Sequence, residues 1–270
     1  MGPLWERPKG VLCMRIATWN VNSVRTRLDQ VLAWLEAEAP EVLCLQETKV
    51  TDELFPLAAF QDLGYGAVIS GQKAYNGVAI HSRLPIEDAQ VGFAALLPDD
   101  PEAPDLGEQK RVVSARIEGL RVLNLYVPNG SSLSSEKYAY KLQWLACLKR
   151  YLEAQEASGE PLVMVGDFNI ALEARDIHDP ARLTGGIMAS EPERVALLAA
   201  LGSGWRMASG CLSPGPATGA GGTTAPPAGR WAAAGGSTTS TSMPNSATTP
   251  WAARFMPGCA ATCNRATTRR

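Results

Sequence analysis

Residues 14–47 read MRIATWNVNSVRTRLDQVLAWLEAEAPEVLCLQE and contain the order strand, helix, strand. The first eight residues form a short apolar run with β-branched side chains, which is typical of a buried strand. Apolar residues then recur at helical spacing as far as Pro40, with Ser23 as a candidate N-cap. Residues 41–47 (EVLCLQE) return to the pattern of a buried strand. This alternation predicts layered α/β packing.

The same alternation continues to about residue 201. Further strands are predicted at residues 66–70, 77–82, 112–117, 121–127 and 162–167, and helices at 54–63, 133–157 and 192–201. The helix at 133–157 carries an apolar stripe at helical spacing, formed by Tyr138, Leu142, Leu145, Leu148 and Leu152. Strands and helices of this kind indicate one α/β domain over residues 14–202.

The composition changes after Gly202. All 27 acidic residues lie before that point, and residues 203–270 contain no Asp, Glu, Lys, His, Tyr, Val or Ile. A segment so poor in large aliphatic side chains cannot bury enough apolar surface to offset the entropy lost on folding. We therefore predict that residues 203–270 form a low-complexity, disordered tail.

The overall composition excludes several classes of protein. No apolar run is long enough to span a bilayer, and Trp5, Glu6 and Pro8 interrupt the apolar stretch that a signal peptide needs. Six cysteines without a signal peptide favour a reducing cytoplasm over a disulfide scaffold. A net charge of −2 excludes a polycationic nucleic-acid binder, although a local basic patch is compatible with it.

Polar residues stand at the ends of four predicted strands. Asn20 ends the first strand, Glu47 ends the second, Tyr126 lies near the end of another, and Asp167 and Asn169 follow the last. A rigid sheet can aim such side chains at one point. Two carboxylates and two amide oxygens form an all-oxygen set of the kind that Mg²⁺ prefers.

Each of these residues also has a structural interpretation. Asn20 suits a turn, Glu47 suits the start of a loop, and Asp167 and Asn169 suit a helix cap. Tyr126 suits a core position with its hydroxyl group satisfied nearby. An ordinary solvated face is the alternative for the basic residues Lys49, Lys73, Lys110 and Arg111.

Five ordered motifs resemble the exonuclease III type of apurinic/apyrimidinic endonuclease, a branch of the endonuclease/exonuclease/phosphatase superfamily. They are WNVNSVRTR (19–27), LQETK (45–49), GQKAYNGVAI (71–80), LYVPNG (125–130) and GDFNI (166–170). The resemblance runs from Met14 to about Gly202. It implies a four-layer α/β sandwich with two central mixed sheets, incomplete here because the last third of the chain is aberrant. Met14 resembles the usual start, so residues 1–13 are expected to be an N-terminal extension.

The resemblance also implies an activity and roles for the candidate residues. The activity is Mg²⁺-dependent cleavage of DNA on the 5′ side of an abasic site, usually with 3′-exonuclease and 3′-phosphatase activity. Glu47 would hold the metal with Asn20 beside it, Asp167 would orient or deprotonate the attacking water, Asn169 would stabilise the pentavalent phosphate, and Tyr126 would contact the scissile phosphate. Asp167 and Asn169 complete the expected metal set.

The expected partners follow from the same resemblance. The substrate is double-stranded DNA with abasic sites or 3′ ends, the ion is Mg²⁺ with Mn²⁺ as an alternative, and the protein is expected to be a cytoplasmic monomer. Phosphate contacts, which position DNA without reading its sequence, are expected from Lys49, Lys73 and Arg111.

The chain departs from the family pattern in its last third. The family has an Asp-bearing strand and a terminal Asp-His pair there, whereas this chain has only His81 and His178. His81 lies inside a predicted strand and is interpreted as structural, and His178 lies in a loop and is not expected to replace the missing His. Cys259 and Cys263 lack partner histidines and are not expected to bind zinc.

A shifted reading frame accounts for this departure. If each true codon is the last base of one codon and the first two of the next, residues 237–244 (STTSTSMP) are compatible with IDHIYVDA. Residues 221–225 (GGTTA) and 266–270 (ATTRR) are likewise compatible with WWDYR and SDHAP. These strings resemble the missing family motifs in the correct order, which indicates a frameshift close to Gly202.

Three functional hypotheses follow. The first is an abasic-site endonuclease that, with this literal C-terminal sequence, has little or no activity. The second is a non-catalytic DNA-binding remnant. The third is a phosphatase of the same superfamily, against which the QETK and LYVPNG contexts argue.

Overall fold

The computed structural model of the protein describes residues 14–173, 176, 185–202, 205–207, 230–235, 251–256 and 259–265. The helices are α1 (Leu28–Glu38), α2 (Leu57–Gln61), α3 (Ala103–Gly107), α4 (Glu136–Ala157) and α5 (Glu191–Leu201), with a short 3₁₀ helix at Asp52–Leu54. The strands of the N-terminal half are β1 (Met14–Asn20), β2 (Val42–Gln46), β3 (Gly66–Ser70), β4 (Val78–Ser82), β5 (Glu87–Val91), β6 (Val112–Ile117) and β7 (Leu120–Tyr126). The remaining strands are β8 (Leu162–Asp167), β9 (Trp205–Met207), β10 (Arg230–Gly235), β11 (Trp251–Met256) and β12 (Cys259–Arg265).

These strands form two mixed sheets. The first sheet has the order β12-β11-β1-β2-β4-β3, and the second has the order β5-β6-β7-β8-β10-β9. The sheets pack face to face through apolar side chains such as Ile16 and Ile80 from the first and Val122 and Val163 from the second. The predicted α/β class with two central mixed sheets is therefore confirmed.

A helix layer covers the outer face of each sheet. Helix α1 packs on the first sheet through Val31 and Leu35. Helices α4 and α5 pack on the second sheet through residues that include Trp144, Leu148 and Leu197. Burial of these apolar faces is the main favourable contribution to folding. The result is the predicted order of layers: helix, sheet, sheet, helix.

The segment before α1 differs from the sequence prediction. Ser23 is not the N-cap of α1, because that helix begins at Leu28 and its N-cap position is Arg27. Instead, the backbone N–H groups of Ser23 and Val24 donate to the carbonyls of Glu47 and Thr48 at 2.7 and 3.1 Å. These long-range bonds hold the segment as a turn against the end of β2, which local propensity alone cannot predict.

His81 occupies the structural position that was expected of it. It is fully buried in β4 and stacks on Phe60, with ring centroids 4.0 Å apart. Burial lowers the pKa of His81 to about 3, so the ring is neutral at physiological pH. His178 lies outside the described residues.

Four short strands lie within the segment for which composition predicted disorder. Strand β10 pairs in parallel with β8, and β11 pairs antiparallel with β1. A sheet edge offers unpaired N–H and C=O groups to any extended chain, whatever its side chains. The structure thus contains strands at residues where disorder was expected, and the expectation for the tail as a whole stays a prediction. Most of residues 203–270, and residues 1–13, lie outside the described residues, so the domain boundaries stay predictions.

Within the part of the chain described here, no helix has both the length and the apolar character needed to cross a membrane.

Candidate active site

Two pairs of parallel strands end at the same edge of the sandwich. In the first sheet, Asn20 at the end of β1 pairs with Gln46 of β2, so Glu47 follows directly beside it. In the second sheet, Tyr126 at the end of β7 pairs with Asp167 at the end of β8. Because each pair is in register, four polar side chains leave the sheets at one level. The predicted convergence at strand ends is therefore what the structure shows.

The Asn20 side chain joins the two sheets at this edge. Its Nδ2 group donates to Glu47 Oε1 at 2.8 Å and to Asp167 Oδ2 at 2.7 Å. Its Oδ1 accepts from the backbone N–H of Asn22 at 3.0 Å, which defines the orientation of the amide. Asn20 thus presents its NH₂ group, not its oxygen, to the carboxylates. Its role as an oxygen ligand stays a prediction, and its observed role is to bridge Glu47 and Asp167.

Glu47 is held in its ionised form. Burial opposes ionisation, but hydrogen bonds from Asn20, Lys49 and Tyr126 outweigh it and lower the pKa of Glu47. The Lys49 ammonium lies 2.8 Å from Glu47 Oε2 and also donates to Asn22 Oδ1. Lys49, which was expected to contact DNA phosphate, therefore neutralises Glu47 in this structure.

The pKa of Asp167 is shifted in the opposite direction to that of Glu47. Burial raises its pKa to about 6, although hydrogen bonds from Asn20 and from the Asn169 backbone oppose the shift and the Glu47 carboxylate adds to it. Two neighbouring carboxylates thus have pKa values that are pushed apart, a pattern typical of an acid–base site. A carboxylate with a pKa near 6 is suited to accept a proton at neutral pH.

Tyr126 lies between Glu47 and Arg111. Burial, and then the Glu47 carboxylate, raise the pKa of Tyr126 well above its usual range, so its hydroxyl stays protonated and can donate. The Arg111 guanidinium lies over the Tyr126 ring, 4.6 Å from its centroid, and its Nη1 donates to the Tyr126 carbonyl at 3.2 Å. The Arg111 guanidinium is therefore packed against the face of the Tyr126 ring, and its contact with DNA phosphate stays a prediction.

Asn169 sits in a left-handed turn directly after β8. Its φ is 48°, and its backbone N–H donates to Asp167 Oδ1 at 3.1 Å. Its side-chain Nδ2 donates to the Val127 carbonyl at 2.9 Å, and its Oδ1 accepts from Asn129 Nδ2 at 3.3 Å. Left-handed backbone is uncommon for residues other than Gly and occurs often at functional sites. The turn brings Asn169 to the same edge as Asp167.

Lys73 lies apart from these contacts. It is exposed in the loop between β3 and β4, and the nearby Asn76 and Gly77 carbonyls accept from the Lys49 and Thr48 backbone N–H groups at 2.9 and 3.1 Å. The loop is thus tied to the Glu47 turn, and a phosphate contact by Lys73 stays a prediction.

Three residues at this edge were missed as site residues by sequence reasoning. Asn129 contacts Asn169, and Lys141 of α4 forms a fully buried ion pair with Glu193 of α5, with Nζ 2.5 Å from Oε1. A signal for Lys141 was present, because it lies three residues after Tyr138 and four before Leu145, within the apolar stripe of α4. A Lys on a buried stripe is rarely unpaired.

The two carboxylates suit a hard cation that takes only one or two of its ligands from the protein. Glu47 Oε1 and Asp167 Oδ2 both accept from the Asn20 amide nitrogen, at 2.8 and 2.7 Å, so the two carboxylates lie side by side. Within the ranges that the structure covers, no cluster of three or more His, Cys, Asp or Glu side chains is arranged for a metal ion. One or two carboxylates are what Mg²⁺ commonly takes from protein, with water and substrate phosphate completing its shell.

Comparison with known proteins agrees with this geometry. A family model described as the Endonuclease/Exonuclease/phosphatase family matches residues 17–250. Exodeoxyribonuclease III of Haemophilus influenzae is 36% identical over 169 residues, which are 61% of this chain and 60% of that protein. The chain therefore spans about three fifths of that curated relative.

Solved structures give the same assignment. A 3′ phosphatase from Neisseria, bound to a product DNA hairpin, is 43% identical over 70% of each chain with a TM-score of 0.63. An AP endonuclease from Archaeoglobus fulgidus is 41% identical over 70% of each chain, also with a TM-score of 0.63.

The chain belongs to the endonuclease/exonuclease/phosphatase family, and the layered fold and the carboxylate pair at its edge agree with that assignment. Within that family it is similar to exonuclease III-type AP endonucleases, as the five motifs predicted.

Proposed function

We propose that this protein is a Mg²⁺-dependent DNA-repair phosphodiesterase that cleaves beside abasic sites and removes residues from 3′ ends. The observation that carries the proposal is the Asn20 amide, which joins Glu47 of one sheet to Asp167 of the other. Relatives whose names include exodeoxyribonuclease III and AP endonuclease support the choice of DNA as substrate.

The side chains divide the chemistry between them. Glu47, with Asp167 beside it, would hold the cation, which supplies charge neutralisation at the phosphate when bound. Asp167 accepts a proton from the attacking water, a contribution typically worth about 10²–10⁴ in rate. The protonated Tyr126 hydroxyl donates toward the phosphate, and Asn169 stabilises charge on its oxygens.

We propose that DNA cleavage by the chain with this sequence is slow. Residues 203–270 contribute no Asp, Glu or His side chain, so the family's Asp-His pair has no counterpart there. Reduced transition-state stabilisation lowers the rate of cleavage even where substrate binding is retained.

The direct test is cleavage of duplex DNA that carries one abasic-site analogue. Purified full-length chain is held in excess over labelled duplex in Mg²⁺, with parallel samples in EDTA. We expect slow, EDTA-sensitive nicking that Glu47→Gln abolishes and that the exposed neighbour substitution Glu53→Gln leaves unchanged.

Three other results would contradict the proposal in different ways. Salt-dependent DNA binding with no EDTA-sensitive nicking would support the non-catalytic remnant. Hydrolysis of a soluble phosphate ester but not of DNA would support a phosphatase. A rate equal to that of the Haemophilus relative, assayed alongside, would refute slow turnover.

The aberrant tail is proposed to arise from a shifted reading frame near Gly202. The nucleotide sequence across codons 195–210 tests this directly, and restoring the frame is expected to add a terminal Asp-His pair and to raise the nicking rate. An intact frame, or a restored chain that is no faster, would refute it.

A further inference from the structure

Behind the candidate active site, the helices α4 and α5 contribute one charged side chain each to the interior. Lys141 and Glu193 are both fully buried, and their side chains are joined at 2.5 Å. The Glu193 carboxylate also accepts from the Met188 and Ser190 backbone N–H groups at 3.1 Å each and from Ser190 Oγ at 2.6 Å. These bonds hold the carboxylate in one place at the start of α5.

The Lys141 ammonium has three protons and three acceptors. Besides Glu193 Oε1, it donates to the backbone carbonyl of Asn169 at 2.8 Å and to that of Asn129 at 3.4 Å. A Lys side chain has three donors and no acceptor, so this set uses all of them. The two carbonyls belong to the two loops whose side chains meet at Asn129 Nδ2 and Asn169 Oδ1.

The aliphatic stem of Lys141 requires space at Gly130. Gly130 has a φ of 90°, and a Cβ at this position would lie 3.3 Å from Lys141 Cδ and 2.9 Å from Ile187 Cδ1. The carbonyl of Gly130 accepts from Ser135 Oγ, the N-cap of α4, at 2.6 Å. The loop after β7 is therefore shaped so that the first turns of α4 can deliver the ammonium to the site.

Stability alone does not explain a buried ion pair at this position. The cost of removing two charges from water commonly cancels their attraction, and a well-packed apolar pair serves stability as well or better. What an apolar pair cannot do is bind the carbonyl of a residue whose φ is 48°. The specific contribution of the pair is thus the geometry of the Asn169 turn.

We propose that Lys141, oriented by Glu193, is a positioning residue that fixes the Asn129 and Asn169 carbonyls and so aims the Asn169 side chain at the scissile phosphate. This inference rests on the proposed function for its effect on catalysis. Its structural part, the immobilisation of the two loops, does not depend on activity.

The test compares three forms of the full chain with the unaltered protein. Lys141→Met combined with Glu193→Gln removes both charges without leaving one ion buried and unpaired. Lys141→Arg keeps a cation with several donors. Lys149→Met combined with Glu153→Gln removes an exposed ion pair from the same helix and is the matched control.

Two measurements are made on each form. In single-turnover cleavage of abasic duplex, we expect the buried double variant to be slower by about 100-fold. DNA affinity is expected to change by less than roughly threefold, because the contacts to other phosphates expected from Lys49, Lys73 and Arg111 are untouched. Lys141→Arg is expected to keep most of the cleavage rate of the unaltered protein. The exposed double variant is expected to keep all of it. In native-state hydrogen exchange, residues 127–130 and 167–171 are expected to exchange roughly tenfold faster while the sheet core is unchanged.

The outcomes separate the two levels of the proposal. Unchanged local exchange and rate in the buried double variant would overturn the inference. Faster hydrogen exchange throughout both sheets, with the cleavage rate falling in proportion, would show that the ion pair has a purely structural role. That result would also overturn the inference. An unaltered protein without Mg²⁺-dependent cleavage would refute the proposed function, and the exchange comparison would still decide whether Lys141 immobilises the turn.

Discussion

The raised pKa of Asp167 predicts that this residue destabilises the folded protein above pH 6. Its pKa is about 6 in the fold, against 3.8 for an ordinary Asp. Between these two pH values the folded state binds more protons than the unfolded state, so the free energy of unfolding falls as pH rises. The full decrease in the free energy of unfolding is present above pH 6, and none of it is present below about pH 4.

The size of the effect follows from the shift. Each pKa unit corresponds to about 1.4 kcal/mol, so about two units give an upper value of about 3 kcal/mol. Asp167 is partly exposed at the edge of the site, so water screens it and we expect about 1–2 kcal/mol.

The assay compares urea unfolding of the unaltered protein and Asp167→Asn between pH 4 and pH 8 in EDTA. Contributions that do not change with pH cancel when the difference between the two proteins is followed across pH, and the hydrogen bonds from Asn20 and Asn169 that change with protonation are already included in the pKa of Asp167. We expect the unaltered protein to lose about 1–2 kcal/mol relative to the variant as pH rises from 4 to 7. The exposed substitution Asp62→Asn serves as control. A difference that is constant, or that grows in favour of the unaltered protein, would refute the reasoning.

Three further predictions concern the same region. Gln46→Leu is expected to lower the free energy of unfolding by about 2–3 kcal/mol, because the buried Asn124 Oδ1 loses a donor at 2.7 Å. Urea unfolding measures this change, and a value under about 0.5 kcal/mol would contradict the prediction. Tyr126→Phe is expected to slow abasic-site cleavage about 10- to 100-fold while keeping the ring under Arg111; an unchanged rate would remove the hydroxyl from the proposed chemistry. Removal of divalent ions by EDTA is expected to stop cleavage, and excess Mg²⁺ to restore it, whereas cleavage that persists in EDTA would exclude a metal-dependent reaction.

The sequence alone was sufficient for the elements that a local pattern determines. Apolar alternation located β3, β6 and β8 at their observed bounds, because buried strands with β-branched residues have a strong period and clear ends. It missed β5 (EDAQV), which is short, polar and mostly exposed, so its strand character comes from pairing with β6. The candidate residues could also be chosen from sequence, because each lies at a predicted strand end within one of the ordered motifs that resemble the family.

What only the tertiary structure decided is how those residues act on one another. Asn20 and Asp167 are 147 positions apart, and only the packing of the two sheets shows that one amide serves both carboxylates. Lys49 is a candidate DNA contact in the sequence and a partner of Glu47 in the fold. The physical reason is that residue type and local period determine secondary structure and burial, whereas the pKa of a side chain and the direction of its hydrogen bonds depend on neighbours brought from distant parts of the chain.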